Sequence, residues 1–133
     1  MGKGRSMRAA GTQVGRPRST MTVGGIQWQR SSRATRQNQT LISVSIAKLD
    51  RAWKKDSSYY IPRGTDPAGK VKNAKKILRA GKKVDAPEAT YRKGVVSFTD
   101  GRSRTAAARD LGKKRMVISV AKSSAAKIAK ALN

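Results

Sequence analysis

The segment Thr99-Asp100-Gly101-Arg102-Ser103-Arg104-Thr105 concentrates anion-binding residue types in one short stretch. Arg102 and Arg104 offer planar forks of N–H donors that match a phosphate, and Ser103 and Thr105 add hydroxyls. Gly101 lets the backbone turn sharply and approach a ligand. The segment lies where the apolar run Val95-Val96-Ser97-Phe98 passes into Ala106-Ala107-Ala108, so it reads as a strand-to-helix turn. Free amides and the positive end of a helix dipole would then meet at the same spot. Gly101, Arg102, Ser103, Arg104 and Thr105 are therefore the candidate phosphate or nucleotide ligands. A plain turn with Ser103 as helix cap is the other reading of the same residues.

Hydrolytic chemistry has less to work with. The chain has no His and no Cys, which removes the commonest general base and metal ligand, thiol catalysis and Cys-bound metal centres. The seven acids are Asp50, Asp56, Asp66, Asp85, Glu88, Asp100 and Asp110. They form no Asp-x-Asp pair, and no Walker lysine motif accompanies them. Only Asp85, Glu88 and Asp100 are placed to converge, so no metal site is assigned. Asp100 and Arg104 are the catalytic candidates if the protein is an enzyme, with a nucleoside triphosphate and Mg²⁺ as its cofactors. The expected role of Asp100 is an ion pair with Arg102 or Arg104.

Charge dominates the composition. The 133 residues include 31 Lys+Arg against 7 Asp+Glu, a formal charge of +24. Such a chain repels itself until a polyanion neutralises it, and each cation on a phosphate releases condensed counterions. An anionic membrane would need a long amphipathic helix with large apolar anchors, which the sequence lacks. Residues 1–38 contain no acid and no apolar periodicity, and read as a flexible basic arm ahead of a domain at 39–133. Arg16, Arg18, Arg30, Arg33 and Arg36 are its candidate nucleic-acid contacts. Gly15-Arg16-Pro17 partly resembles the core of a minor-groove AT-hook. A second basic row, Lys72, Lys76, Arg79 and Lys83, recurs at i, i+4, i+7 and i+11 and reads as one helix face.

The elements that must position these groups follow from periodicity. Ile42, Val44 and Ile46 alternate as a strand, with a short helical turn through Leu49 and Trp53. Tyr59 to Pro67 reads as extended chain entering a loop, and Val71, Ala74 and Ile77 or Leu78 as a helix ending at Gly81. Val95–Thr99, Arg102–Leu111 and Met116–Val120 form a strand–helix–strand unit, for which a parallel pair and right-handed crossover are expected. Ser123 or Ser124 would cap a last helix with Ala125, Ile128, Ala129 and Leu132 facing inward.

Taken in order, the strand, Asp-Gly-Arg-x-Arg, the Ala-rich helix, Arg109-Asp110-Leu111-Gly112, the basic pair and the next strand resemble the ParB/sulfiredoxin fold, especially its small ParB-like nuclease-domain members. The likeness extends back through Ala86-Pro87-Glu88-Ala89 and the Tyr59–Gly64 loop, covering about residues 40–133. It implies a single small mixed α/β domain with a nucleotide-phosphate site at Gly101, Arg102, Ser103 and Arg104. Many relatives carry His where Ser103 stands. Sulfiredoxins need a Cys where Arg102 stands, so that activity is excluded. Chromosome-partitioning ParB proteins carry Gly-Glu-Arg-Arg here and continue into further domains, so a full partition protein is not expected.

The expected function is non-catalytic, mostly sequence-independent binding of nucleic acid, DNA before RNA, by a protein of a phage or other mobile element. One alternative is a structural virion component whose arm contacts neighbouring subunits or genome. Another is a metal-dependent nuclease or nucleotide hydrolase. Expected partners are nucleic acid and virion or assembly proteins, not membrane. The expected location is the bacterial cytoplasm, the nucleoid or a phage particle.

Overall fold

The computed structural model of the chain describes residues 19–31 and 38–133. Its elements in chain order are β1 (Thr20–Val23), β2 (Ile26–Gln29), β3 (Gln39–Ser45), α1 (Ile46–Trp53), α2 (Lys70–Arg79), β4 (Val84–Asp85), β5 (Glu88–Arg92), β6 (Val95–Asp100), α3 (Arg102–Asp110), β7 (Arg115–Ala121) and α4 (Ala125–Ala131). Single 3-10 turns at Pro67–Gly69 and Lys122–Ser124 lead into α2 and α4.

The larger of two mixed sheets has the order β3-β7-β5-β6. β7 lies in its interior, and Met116 to Val120 are all buried because both faces of the strand are covered. The sequence pattern predicts β6 and β7 as a parallel, neighbouring pair, and they are neither. β5 stands between them, parallel to β7 and antiparallel to β6. The cause is a two-residue hairpin at Lys93-Gly94, where φ is +52° and +80°. Such a turn suits the right-handed twist of the strands it joins and ties β5 to β6 first.

The smaller sheet, β1-β2-β4, corrects the expected arm boundary at residue 38. Residues 20–29 form an antiparallel hairpin that turns at Gly24-Gly25, with φ of +64° and +78°. Ile26 and Trp28 are buried, and Met21 and Val23 pack against the core. These four residues alternate around Gly-Gly, which is a hairpin pattern within an otherwise basic segment. β2 continues in parallel onto β4, pairing Trp28 with Val84 and Gln29 with Asp85. Gln29 Nε2 donates to Asp85 Oδ1 at 2.8 Å, and the Ala86 amide donates to the Gln29 carbonyl at 2.8 Å. Residues 1–18 and 32–37, with Arg16, Arg18, Arg33 and Arg36, lie outside the described residues.

The helices follow the expected periodicity. α1 buries Ile46, Leu49, Ala52 and Trp53, and Ser45 Oγ caps it by accepting from the Lys48 amide at 3.3 Å. Trp53 packs edge-on to Tyr59 and Phe98, with centroids 5.1 Å apart in each case. α2 buries Val71, Ala74 and Leu78 and stops before Gly81 at φ +77°. In α3, Ala106, Ala107 and Ala108 are fully buried, and such small side chains let the helix sit close to its neighbours. α4 buries Ile128, and Ser124 stands at its N-cap without a side-chain hydrogen bond.

Candidate functional site

The start of α3 and one side of α2, from Lys70 to Ile77, line a cleft of about 300 Å³. From α2 come Lys70, Asn73, Ala74 and Ile77, which recur at i, i+3, i+4 and i+7. The turn before α3 contributes Asp100, Gly101, Arg102, Ser103 and Arg104, and Tyr60 closes the cleft from the preceding loop. The N-terminus of α3 and three cationic side chains thus meet at one opening, an arrangement that favours an anion.

Gly101 is required by geometry. Its φ is +94°, and a Cβ there would stand 2.6 Å from Pro87 Cα and Cβ and 2.9 Å from Arg104 Nη2. The turn therefore presses against the Ala86-Pro87 segment and leaves no space for a side chain. Arg104 Nη2 donates to Asp100 Oδ2 at 3.1 Å, the ion pair expected from the sequence. The Nε atoms of Arg102 and Arg104 are both buried without a hydrogen-bond acceptor. Arg30 Nε, Trp53 Nε1 and Arg109 Nη2 share that state, so it is not particular to the cleft.

Asp56 lies close enough to feel the Arg102 charge. Its carboxylate is held below the usual range chiefly by the Ser58 hydroxyl, against the opposing effect of burial, with help from Ser97 and Arg102. Ser97 Oγ donates to Asp56 Oδ1 at 2.9 Å, and the Ser58 amide donates to Oδ2 at 3.1 Å.

Thr105 does not share the cleft. It is 2% exposed, and its hydroxyl donates to the Gly101 carbonyl at 3.0 Å, so it braces the turn from inside. Lys72, Lys76 and Arg79 are exposed on α2, about two-fifths of a turn round the helix from the cleft row. Lys83 falls beyond the end of α2 and does not continue that face. Arg30 is turned to structural use, since its Nη1 donates to the Gln39 carbonyl at 3.1 Å. Among the described residues, no three of His, Cys, Asp and Glu gather as metal ligands.

Tyr60, Asn73 and Ile77 were not among the candidates read from the sequence. The α2 spacing was a usable signal for the last two. Lys70 carries another signal, because Gly64 and Gly69-Lys70 keep the Gly-x-x-x-x-Gly-Lys spacing of a phosphate-binding loop. The motif fails at the next position, where Val71 replaces Ser or Thr and Asp66 Oδ1 already accepts its amide at 2.7 Å.

A further group of residues fixes the wall that carries Tyr60. Arg109 Nε donates to Asp110 Oδ1 at 2.9 Å, and Nη1 donates to Asp50 Oδ1 at 3.0 Å and to the Tyr60 carbonyl at 2.6 Å. Its guanidinium carbon stands 5.5 Å from the Tyr59 ring centroid and 5.7 Å from that of Trp53. Burial opposes the charged form of Arg109, but Asp110 and Asp50 outweigh it and hold the group above its ordinary value. Burial also raises Tyr59, assisted by the hydrogen bond from its hydroxyl to Asp50 Oδ2 at 3.0 Å.

No protein-family model and no curated protein matches the chain. Among solved structures it is similar to an oncogenic suppression activity protein, a plasmid fertility inhibition factor, in a crystal of its gold(I) cyanide derivative. The two share 15% identity at a TM-score of 0.63, over 93% of this chain and 78% of that one. The fold is of ParB/sulfiredoxin type. In this ParB/sulfiredoxin-type domain, the strand-to-helix turn read from the sequence does open a cleft, and α2 supplies its other wall. Among the described residues, no helix is long and apolar enough to cross a membrane.

Proposed function

We propose that this is a non-catalytic nucleic-acid-binding protein of a mobile genetic element, with DNA its first ligand, and that it grips phosphate in the cleft between α2 and α3. The observation that carries this reading is the cleft itself, where Lys70, Arg102 and Arg104 meet Asn73 and Ser103 with Asp100 as the one carboxylate among the described residues of the lining. The resemblance of the Asp-Gly-Arg-x-Arg turn to ParB-like phosphate sites agrees with it. The mobile-element part draws on the plasmid fertility inhibition factor that shares the fold. The exposed row Lys72, Lys76 and Arg79 would add contacts along the backbone, as would the basic residues of the first 18 positions.

A nucleoside triphosphate would meet the same donors, so free nucleotide is the competing ligand to include in any assay. The hydrolytic alternative rests on Asp100, which Arg104 already engages at 3.1 Å. With no cluster of three acids among the described residues, the substrate's own phosphates would have to complete a Mg²⁺ shell.

The test is binding of the full chain to duplex DNA, single-stranded DNA and RNA at several salt concentrations, beside the double variant Arg102→Gln with Arg104→Gln. Losing two phosphate contacts should make the log–log salt slope shallower by about two and weaken unrelated sequences alike. An unchanged slope refutes the cleft. Weak binding of the unaltered chain to every nucleic acid would move the function to a protein partner, such as a virion assembly. Mg²⁺-dependent turnover abolished by Asp100→Ala would establish the enzyme.

A further inference from the structure

α1 has two unlike flanks. Asp50 looks toward α3, where it meets Arg109 and Tyr59. The helical period places Lys48 and Arg51 on the other side, at i and i+3, and Lys55 joins them from just past the helix end. These three residues line a hollow of about 280 Å³ with Ala52, Tyr91, Gly94, Ala131 and Leu132. A second hollow, of about 470 Å³, opens at the start of α1 between Ser45, Ile46 and Ala47 and the run Gly112 to Arg115.

Asn133 lies between the two hollows and joins them. Lys48 Nζ donates to its carbonyl oxygen at 2.8 Å, and Arg115 Nη2 donates to its Oδ1 at 2.7 Å. Lys113 Nζ is fixed by the Gly24 carbonyl at 3.0 Å. Arg115 and Lys113 are thus oriented by uncharged acceptors, which hold a cation in place without cancelling it. Arg51, Lys55 and Lys114 are exposed, and their side chains make no hydrogen bond or ion pair within the described residues. No Asp or Glu lines either hollow.

We propose that this flank of α1, continued by Lys113, Lys114 and Arg115, is a second phosphate-binding surface, by which one chain holds a second segment of DNA. This inference rests on the nucleic-acid reading of the preceding section and extends it from holding one duplex to bridging two. Lys48 and Arg51 stand on α1 and Lys55 just past its end, and all three line the same hollow, so their charges lie side by side toward a duplex that carries one negative charge per about 1.7 Å of its axis. The side that faces α3 is taken up by the Asp50–Arg109 network, so the two surfaces leave the molecule in different directions.

The experiment immobilises one duplex, adds the full chain, and measures capture of a second, fluorescent duplex of unrelated sequence. The variant Arg51→Glu, Lys55→Glu, Lys114→Glu changes exposed positions only, and its circular dichroism and unfolding midpoint should match those of the unaltered chain. It is expected to retain binding to a single duplex, with a shallower salt slope, and to lose capture of the second at least tenfold. Capture by this variant equal to that of the unaltered chain overturns the proposal, because bridging would then come from the first 18 residues or from self-association. Binding to one duplex without capture of a second by the unaltered chain also overturns it, while leaving the cleft reading intact. Absence of all DNA binding removes both.

Discussion

The two ends of α3 put the same side chain to opposite uses. At its C-terminal end Arg109 is 9% exposed and meets two carboxylates, a carbonyl and two aromatic rings. At its N-terminal end Arg102 and Arg104 have buried Nε atoms without acceptors, and Arg104 has the half-exposed Asp100 as its ion-pair partner. Each of the three arginines keeps one buried nitrogen without a partner, but Arg109 is countered by two carboxylates, Arg104 by one and Arg102 by no ion pair among the described residues. A charge countered by two carboxylates within the fold holds a structure together, whereas charges that outnumber their carboxylates at an open cleft are suited to an external anion.

The largest expected effect lies at the end with two carboxylates. Arg109→Ala would leave Asp50 and Asp110 buried or half-buried without their cation, and should destabilise the domain by about 3–5 kcal/mol. Denaturant unfolding measures it, and a loss below about 1 kcal/mol would erase the contrast between the two ends. Gly101→Ala comes next. Its Cβ would overlap Pro87, and its φ of +94° strains any L-residue. A loss of about 1–3 kcal/mol is expected in the same assay, together with weakened nucleic-acid binding as the turn shifts.

Arg102→Gln with Arg104→Gln should do the reverse of Arg109→Ala. Its stability should change by less than about 1 kcal/mol, because the Asp100–Arg104 pair is partly solvated. Its binding should fall on every sequence. A double variant that unfolds as readily as Arg109→Ala would show that both ends are structural.

The smallest effect concerns pH. The Asp56 carboxylate is held below its ordinary value, chiefly by Ser58, so it binds protons more weakly folded than unfolded. Its contribution is therefore present above pH 3.8 and lost as pH falls through the lowered folded value. Asp56→Asn should flatten the acid limb of the unfolding midpoint between those two points and leave neutral behaviour alone. An acid limb identical to that of the unaltered chain would mean that other carboxylates carry it.

Much of the framework was legible because its causes are local. The Val95–Thr99 run, the Ala-rich helix with its glycine turn and the α2 periodicity each satisfy a rule that spans a few residues. β5 is less legible although Ala89 and Tyr91 alternate with Thr90 and Arg92, because the strand is short and its pairing depends on the tight turn at Lys93-Gly94. The hairpin at 20–29 was missed for a related reason, as its basic surroundings outweighed a clear two-residue alternation around Gly24-Gly25. Thr105 shows the limit at the site itself. A hydroxyl one turn into a helix can face a ligand or the core, and only packing chose the core.

By itself the sequence determined the charge, the chemistry it excludes and the position of the Asp100–Arg104 turn, since composition and short-range pattern suffice for these. Tertiary structure decided the rest. It put β5 between β6 and β7 and brought Lys70 and Asn73 opposite Arg102. It also surrounded Arg109 with Asp50 and Asp110, 59 residues and one residue away in the chain. Those choices depend on contacts between distant segments, whose closure entropy is offset only when the whole core forms at once.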